Sequence, residues 1–217
     1  ETHRTLALIV LAIAIAAAIN THYYGFLILV PVAAAELIRV WKSHKLDIPL
    51  LLSLAAGAAG ILFVLPFLKG AAAFRSHYQA VGVPYQVLTQ TYNYILLGQG
   101  TFNTNVNHLL DVGLLLLIVL VLWSCIRQMR SKTIDLPLAE FVFLLTLAAQ
   151  PLIGFFMARL ATHAMEPRYV LGSAIGIAAL LAIALTPLLR NSGTARVMLL
   201  LLFCVFIAKG FAGIRTE

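Results

Sequence analysis

The sequence predicts an all-α fold, a polytopic bundle of transmembrane helices with an interfacial helix in one long outer loop. Of the 217 residues, 62% are hydrophobic and only 11% are charged, whereas charged residues make up about a quarter of an ordinary soluble domain. Apolar runs close to the roughly 20 residues that cross a bilayer core recur along the chain. The composition excludes a soluble domain, and the net charge of +7 is typical of basic cytoplasmic loops rather than of a nucleic-acid partner.

Seven apolar runs are bounded by charged or turn residues, and we predict that they are the membrane spans of a single domain covering residues 1–217. The first run is short and follows Arg4, so a signal peptide is the alternative, which the missing Met start disfavours. Because the chain begins with Glu1, we expect a fragment of a longer protein. The predicted spans are Leu6–Ile19, Tyr23–Val40, Ile48–Leu68, Leu109–Ile126, Leu138–Leu160, Tyr169–Leu189 and Val197–Ile214.

The distribution of basic residues predicts the orientation of these spans. Nine of the fifteen Lys and Arg residues fall at the start of the chain or in alternate loops, as at Arg39, Arg127 and Arg190. Lys and Arg in short loops are retained on the cytoplasmic side. All seven tyrosines and four of the six histidines fall on the opposite side. We therefore expect the chemistry of the protein on the outer side of the membrane.

Within the spans, small residues and prolines predict how the helices pack and bend. Ser53, Gly57 and Gly60 in the third span would let a neighbouring helix approach closely. Prolines, including Pro151 and Pro187, should kink or end helices. The other polar features have structural interpretations: Glu36 and Arg39 share one helix face as an ion pair, and the two cysteines, which lack metal-site spacing, are predicted to be buried.

The outer loop 69–107 is too polar to cross the membrane but contains a helical pattern. Tyr85, Leu88, Tyr92 and Ile95 recur at helical spacing, which predicts a helix lying at the membrane interface with aromatic rings at the level of the headgroups. The basic and aromatic residues earlier in the loop suggest a lid over the outer site.

Two polar clusters stand at the outer ends of spans, and they supply the candidate site. In the second cluster, Arg168 is interpreted as a guanidinium that forks onto a lipid phosphate, with an ion pair to Glu166 as the alternative. An aromatic interface belt is the alternative for the tyrosines. A metal site from His22, His163 and Glu166 has no diagnostic spacing, and none is predicted. The candidate substrate-binding residues are His22, Tyr23, Tyr24, His163, Glu166, Arg168 and Tyr169.

A third outer feature is the pair His108 and Asp111, at the start of the fourth predicted span. The two side chains, three residues apart, either share a proton or cap the helix, and we predict capping.

The two clusters resemble motifs of the membrane-embedded GT-C glycosyltransferases, in particular the bacterial family-39 enzymes related to protein O-mannosyltransferases and lipid A aminoarabinose transferases. The matching stretches are residues 21–26, which run into 29–31 and 36–39, and residues 166–171 at the head of a later span. The resemblance covers most of this chain but only the middle and later spans of such an enzyme.

The resemblance implies transfer of a sugar from a polyprenyl-phosphate carrier to an acceptor on the outer face of a bacterial inner membrane, with membrane lipid as the other partner and no nucleic acid. It implies no cofactor within this fragment, although a divalent metal could serve the full-length enzyme. The family's key carboxylates lie in a first outer loop, upstream of this chain, so the catalytic residues are unknown here and the fragment alone should be inactive. The alternatives are a transporter or lipid flippase, which would favour ionisable residues near mid-bilayer, and a structural subunit of a membrane complex.

Overall fold

A computed structural model of the chain describes residues 2–66, 83–97, 104–162, 165–191, 193 and 197, and throughout this part the regular structure is helical. Within the described residues, the α-helices are joined in places by short helices of other types, among them the 3-10 helices Tyr23–Ile28 and Pro167–Val170 and the π-helix Ala158–Thr162. The α-helices named below are α1 Thr2–Thr21, α2 Leu29–Ser43, α3 Ile48–Ala58, α4 Gln86–Leu97, α5 Thr104–Arg130, α6 Leu138–Ala148, α7 Gln150–Met157 and α8 Ser173–Asn191.

Four helical stretches of the described chain are long and apolar enough to cross a membrane, and the α6–α7 pair makes a fifth if it is one bent span. The four are His3–Thr21, Tyr24–Ser43, Ile48–Pro66 and Asp111–Arg130. The apolar part of α8, Ser173–Pro187, is shorter, and the last predicted span falls almost wholly outside the described residues. The all-helical class is confirmed, while the count of seven spans stays a prediction.

Small residues hold α1 against α3, as the sequence predicted. A Cβ added to Gly57 would lie 2.8 Å from the Cβ of Ile15, and one added to Gly60 would lie 3.0 Å from the Cα of Ala16. The Ser53 hydroxyl donates a 2.6 Å hydrogen bond to the backbone carbonyl of Leu8 in α1. In a bilayer, where lipid is as apolar as a leucine side chain, this close packing is what favours association.

The predicted fifth span is broken at Ala149, where α6 and α7 are bent by 52°. Leu152 donates its N–H to Ala149 instead of to Ala148, its partner in a regular α-helix. The freed carbonyl of Ala148 accepts a 3.2 Å hydrogen bond from the Tyr92 hydroxyl of α4. Pro151, fully buried next to the break, has no N–H to continue the helix. The predicted proline kink is confirmed, and a side chain from the outer loop completes it.

A second proline is accommodated without such a break. Pro187 lies inside α8, so the carbonyl of Ile183 lacks its N–H partner. The buried Gln128 of α5 donates its Nε2 to that carbonyl at 2.9 Å, and the Ser124 hydroxyl of α5 donates to the carbonyl of Ala184 at 2.9 Å. We call this contact the α5–α8 seam; the fully buried Cys125 lies within it, as predicted for that cysteine.

Two ion pairs lie at the end of the bundle predicted to face the cytoplasm, the inner end. Arg39 donates through Nε and Nη2 to the two carboxylate oxygens of Glu36, with the Nε to Oε2 distance at 2.6 Å. The predicted pair is confirmed. Arg4 contacts the carboxylate of Asp47, which also caps α3 by accepting the N–H of Leu50. This second pair ties the start of α1 to the loop between α2 and α3.

The predicted capping role of Asp111 is wrong. Helix α5 begins at Thr104, so Asp111 lies about two turns inside it, where all backbone N–H groups have helical partners and no cap is needed. Its Oδ1 atom is buried without a hydrogen-bond partner among the described residues. The first two turns of α5 are polar, so hydrophobicity did not indicate them. The predicted start of the helix therefore fell later along the chain than the observed start.

Candidate functional site

The first outer cluster forms a tight turn between α1 and α2. His22 has an extended backbone, and its Nδ1 accepts the N–H of Tyr24 at 3.2 Å, which caps the 3-10 helix Tyr23–Ile28. A neutral imidazole whose Nδ1 accepts a hydrogen bond carries its proton on Nε2. Gly25 lets the turn fold back onto α1, because a Cβ there would lie only 2.2 Å from the carbonyl oxygen of Ala18.

The turn brings its rings against the second outer cluster. The His22 and Tyr169 rings stack with centroids 4.1 Å apart and planes 28° apart. The Tyr24 and Tyr169 rings stack at 4.8 Å and 29°, while His22 and Tyr24 are 5.7 Å apart. We call these three rings the outer stack. Two clusters separated by more than 140 residues therefore meet in one place.

An apolar floor supports the outer stack. Tyr24, Leu27 and Val170 are each at most 3% exposed and form one buried cluster. Gly154 of α7 makes room for them, because a Cβ added to it would lie 3.1 Å from Val170 and 3.7 Å from the Tyr24 ring. Since the floor is packed by α7 and two 3-10 helices, the position of the stack depends on the break that starts α7.

The structure describes the remaining predicted site residues only in part. Glu166 is exposed and precedes the 3-10 helix Pro167–Val170, where its carbonyl accepts the N–H of Tyr169 at 3.0 Å. The backbone of Tyr23 and of Arg168 is described, but their side chains are not, and His163 lies outside the described residues. Whether Arg168 pairs with Glu166 or binds a ligand stays a prediction.

Over the part of the chain that the structure describes, no three His, Cys, Asp or Glu side chains gather as a metal site. The earlier part of the outer loop, with its predicted lid role, falls in residues 67–82 and outside that part. Helix α4 confirms the helical pattern of the loop, and it packs against α7 and the 3-10 helix Pro167–Val170. Its placement at the membrane interface stays a prediction.

Sequence reasoning missed a second arrangement, on the neighbouring face of α7. The guanidinium of Arg159 lies 4.4 Å from the ring centroid of Tyr85 and 5.8 Å from that of Phe155. Tyr85 comes just before α4, and Arg159 belongs to the π-helix that follows α7. The sequence feature that could have indicated this arrangement is the four-residue spacing of Phe155 and Arg159, which puts both on one helix face.

Tyr92 lies at one side of an apolar groove with a cavity volume of about 240 Å³. Leu96 of α4, Leu152 of α7 and residues of α5, α6 and α8 also line it. Burial raises the pKa of the Tyr92 hydroxyl to about 12, because a phenolate would lose its hydration there. Tyr92 therefore remains a neutral hydrogen-bond donor to the broken span.

Comparison of the chain with protein-family models, curated proteins and solved structures gives no match in any of the three.

Proposed function

We propose that this chain is the middle and C-terminal part of an integral-membrane glycosyltransferase that moves a sugar from a polyprenyl-phosphate carrier to an acceptor on the outer face of a bacterial inner membrane. The observation that supports the proposal is the outer stack, in which His22 and Tyr24 meet Tyr169. These residues belong to the two stretches that resemble the GT-C enzymes.

In the proposed reaction, an acceptor hydroxyl attacks the anomeric carbon, and the bond from that carbon to the carrier phosphate oxygen breaks. The electron pair leaves with the phosphate, and the acceptor proton passes to a base, which the resemblance assigns to a carboxylate upstream of this chain. His22 would donate from Nε2, Tyr169 from its hydroxyl, and Arg168 would add positive charge. Such donors stabilise the charge that develops on the departing phosphate.

The test uses the full-length protein in proteoliposomes with a panel of undecaprenyl-phosphate hexoses labelled in the sugar. We expect transfer that falls about 100-fold in His22→Asn and in Arg168→Ala. Asn at position 22 keeps a side-chain acceptor for the turn but removes Nε2 together with the ring that stacks on Tyr169, so a loss of activity reports on the stacked ring and its donor and not on the cap of the turn.

His44→Gln is the matched control, because His44 is an exposed histidine at the inner end. This variant should transfer sugar at the wild-type rate. Wild-type activity in the His22→Asn variant would remove His22 from the site, and wild-type activity in Arg168→Ala would remove Arg168. Absence of transfer from every carrier-linked sugar by the full-length protein would overturn the proposed function.

A transporter or flippase is the second candidate, and one specific observation favours it. The α6–α7 span is broken, with Gln150 buried beside the break, and discontinuous helices are a feature of substrate sites in transporters. Movement of a fluorescent lipid between leaflets that stops in Gln150→Leu, without any sugar transfer, would favour this candidate over the transferase.

A further inference from the structure

The start of α8 packs against the break between α6 and α7. A Cβ added to Gly176 would lie 2.6 Å from the backbone nitrogen of Ala148 and 3.0 Å from the carbonyl carbon of Leu147. Ser173 precedes Gly176 by three residues, which puts the two on one face of α8. The side chain of Ser173 therefore faces the break.

The hydroxyl of Ser173 is the unusual group at this contact. The residue is 0% exposed, and its Oγ atom has no hydrogen-bond partner among the described residues. Such a hydroxyl does not cap α8, and without a partner its burial destabilises the folded state. Buried polar side chains in folded proteins commonly bond an ordered water where no protein group reaches them.

One hydrogen-bond acceptor on the other side of this contact is the side chain of Gln150, which is 4% exposed. Its Oε1 atom lies 3.1 Å from the position that a Cβ on Gly172 would take. Among the described residues, apart from the chain neighbours of Gly172, no other atom lies within 4 Å of that position. Space for one small group therefore remains beside Gly172, within hydrogen-bond distance of Gln150.

A second acceptor is the backbone carbonyl of Leu147, near the end of α6. In a regular helix this carbonyl accepts the N–H of the residue four positions on, but that residue is Pro151, which has no N–H. The N–H of Ala149 contacts the same oxygen, and a carbonyl oxygen has two lone pairs. The carbonyl of Leu147 therefore keeps an acceptor position at the break.

We propose that one ordered water molecule binds between Ser173, Gln150 and the carbonyl of Leu147, and that it joins the broken span to the start of α8. The water accepts the O–H of Ser173 and donates its two protons to Oε1 of Gln150 and to the Leu147 oxygen. Buried waters make about three such bonds, and ordered waters satisfy backbone groups that proline frees in transmembrane helices. Gly172 is only half-buried, so the site is accessible to water.

The chemistry of the site selects water over an ion. All three groups are neutral, and an anion would meet the oxygens of Gln150 and Leu147. A cation would meet the positive ends of two helices, α7 and α8, against the negative end of α6 alone. A water molecule both donates and accepts, which matches one hydroxyl and two acceptors.

The proposed water supports the position of α7. Gly154 follows Gln150 by four residues, so the two share one face of α7, and a Cβ on Gly154 would lie 3.1 Å from Val170 in the floor of the outer stack. A bridge from Gln150 to Ser173 therefore holds the same face of α7 one turn below that floor.

The first test is Ser173→Ala in the full-length protein, with unfolding by SDS in mixed micelles as the measurement. Loss of the hydrogen bond to the water should raise the unfolding equilibrium constant about fivefold. A hydroxyl without a partner would give the opposite sign, because alanine removes a buried polar group and favours the helix. An unchanged or lower unfolding constant would overturn the proposal.

The second test is Gly172→Ala, which puts a methyl group in the space beside Gln150. Displacement of the water leaves the Ser173 hydroxyl without a partner, so the unfolding constant should rise about tenfold. Gly113→Ala is the matched control, because a Cβ at Gly113 would meet nothing within 4 Å, and it should not raise the unfolding constant. If Gly172→Ala behaved as Gly113→Ala does, the space would hold no water.

The double variant separates loss of the water from a simple clash of the new methyl group with Gln150. In the Gly172→Ala background the water is already displaced, so adding Ser173→Ala should no longer raise the unfolding constant. The same fivefold rise in both backgrounds would show that Ser173 acts through another contact, and it would overturn the proposal.

The identity of the ligand is tested by the salt. Wild-type protein should unfold with the same equilibrium constant in sodium chloride and in choline chloride of equal ionic strength. Stabilisation by sodium that disappears in Ser173→Ala would assign the site to a cation and overturn the water. These measurements do not depend on sugar transfer, so their outcome is separate from that of the proposed function.

Discussion

The two ends of the bundle use their charged residues differently. At the inner end, the guanidinium of Arg39 is matched by both carboxylate oxygens of Glu36, and Arg4 is matched by Asp47. At the outer end, Arg159 contacts two aromatic rings and no carboxylate within the described residues. A neutralised cation holds helices together, whereas one positioned by rings keeps its capacity to bind an anion. The two inner ion pairs are therefore interpreted as structural, and the outer end, with Arg159 and the outer stack, as functional.

The largest expected effect tests whether the outer end depends on one exact turn geometry. Gly25→Ala would put a Cβ 2.2 Å from the Ala18 carbonyl oxygen, and backbone atoms on both sides cannot move apart without shifting α1 against α2. We expect a loss of about 3 kcal/mol in unfolding free energy, at the upper end of overpacking effects, together with loss of the outer stack. Unfolding by SDS in mixed micelles measures the loss of unfolding free energy.

Gly113→Ala is the matched control for this prediction, because a Cβ at Gly113 in α5 would meet nothing within 4 Å. Alanine in an open helix position should stabilise the protein by about 0.5–1 kcal/mol. If Gly25→Ala were as stable as Gly113→Ala, the tight turn would not be a requirement of the outer end.

A smaller effect is expected where the outer loop meets the broken span. Tyr92→Phe removes the hydrogen bond to the Ala148 carbonyl and should cost about 1 kcal/mol. The pKa of Tyr92 is raised from 10.0 to about 12, so the folded state favours the protonated phenol. This contribution is fully present below pH 10 and is lost as the pH rises through about 12.

The measurement is the difference in unfolding free energy between wild type and Tyr92→Phe from pH 8 to pH 12. The difference should shrink above pH 10, because only the wild type has the Tyr92 phenol, whose ionisation favours the unfolded state. A difference that stays constant across this range would show that the hydroxyl does not titrate with folding.

The smallest effects are expected at the inner end. Glu36→Gln should change the unfolding equilibrium constant by at most about fivefold, since Arg39, the exposed partner of the buried Glu36, can be solvated by water when the carboxylate becomes a neutral amide. Asp47→Asn should change it by less than about twofold, because asparagine still caps α3. In the full-length protein, both variants should transfer sugar at the wild-type rate. A loss of transfer in either would contradict the division between the two ends.

The sequence indicated features that depend on near neighbours or on composition. Helical spacing predicted the pair of Glu36 and Arg39, small residues predicted the close contact at Gly57, and Pro151 predicted a break. The topology also placed His22 and Tyr169 on one side of the membrane. Their stacking distance could not be derived, because it depends on how α7 leaves the break and on the close approach at Gly25.

The contacts of the long outer loop were beyond prediction for a related reason. Tyr85 and Arg159 are 74 residues apart, and α4 carries no apolar run that fixes its position against a particular span. The partner of Tyr92 is a carbonyl that exists as a free acceptor only because α6 ends at Ala148. Sequence patterns describe side chains, and this acceptor belongs to the backbone.

The α5–α8 seam has a consequence for how the bundle assembles. Two apolar helices in lipid can slide along each other at little cost, since each position offers similar contacts. Gln128 and Ser124 meet the carbonyls near Pro187 in one alignment only, and a slide of one turn, about 5.4 Å, would strand both donors in a medium without water. The seam therefore fixes the register of α5 against α8. It lies far from the outer surface where substrates are expected.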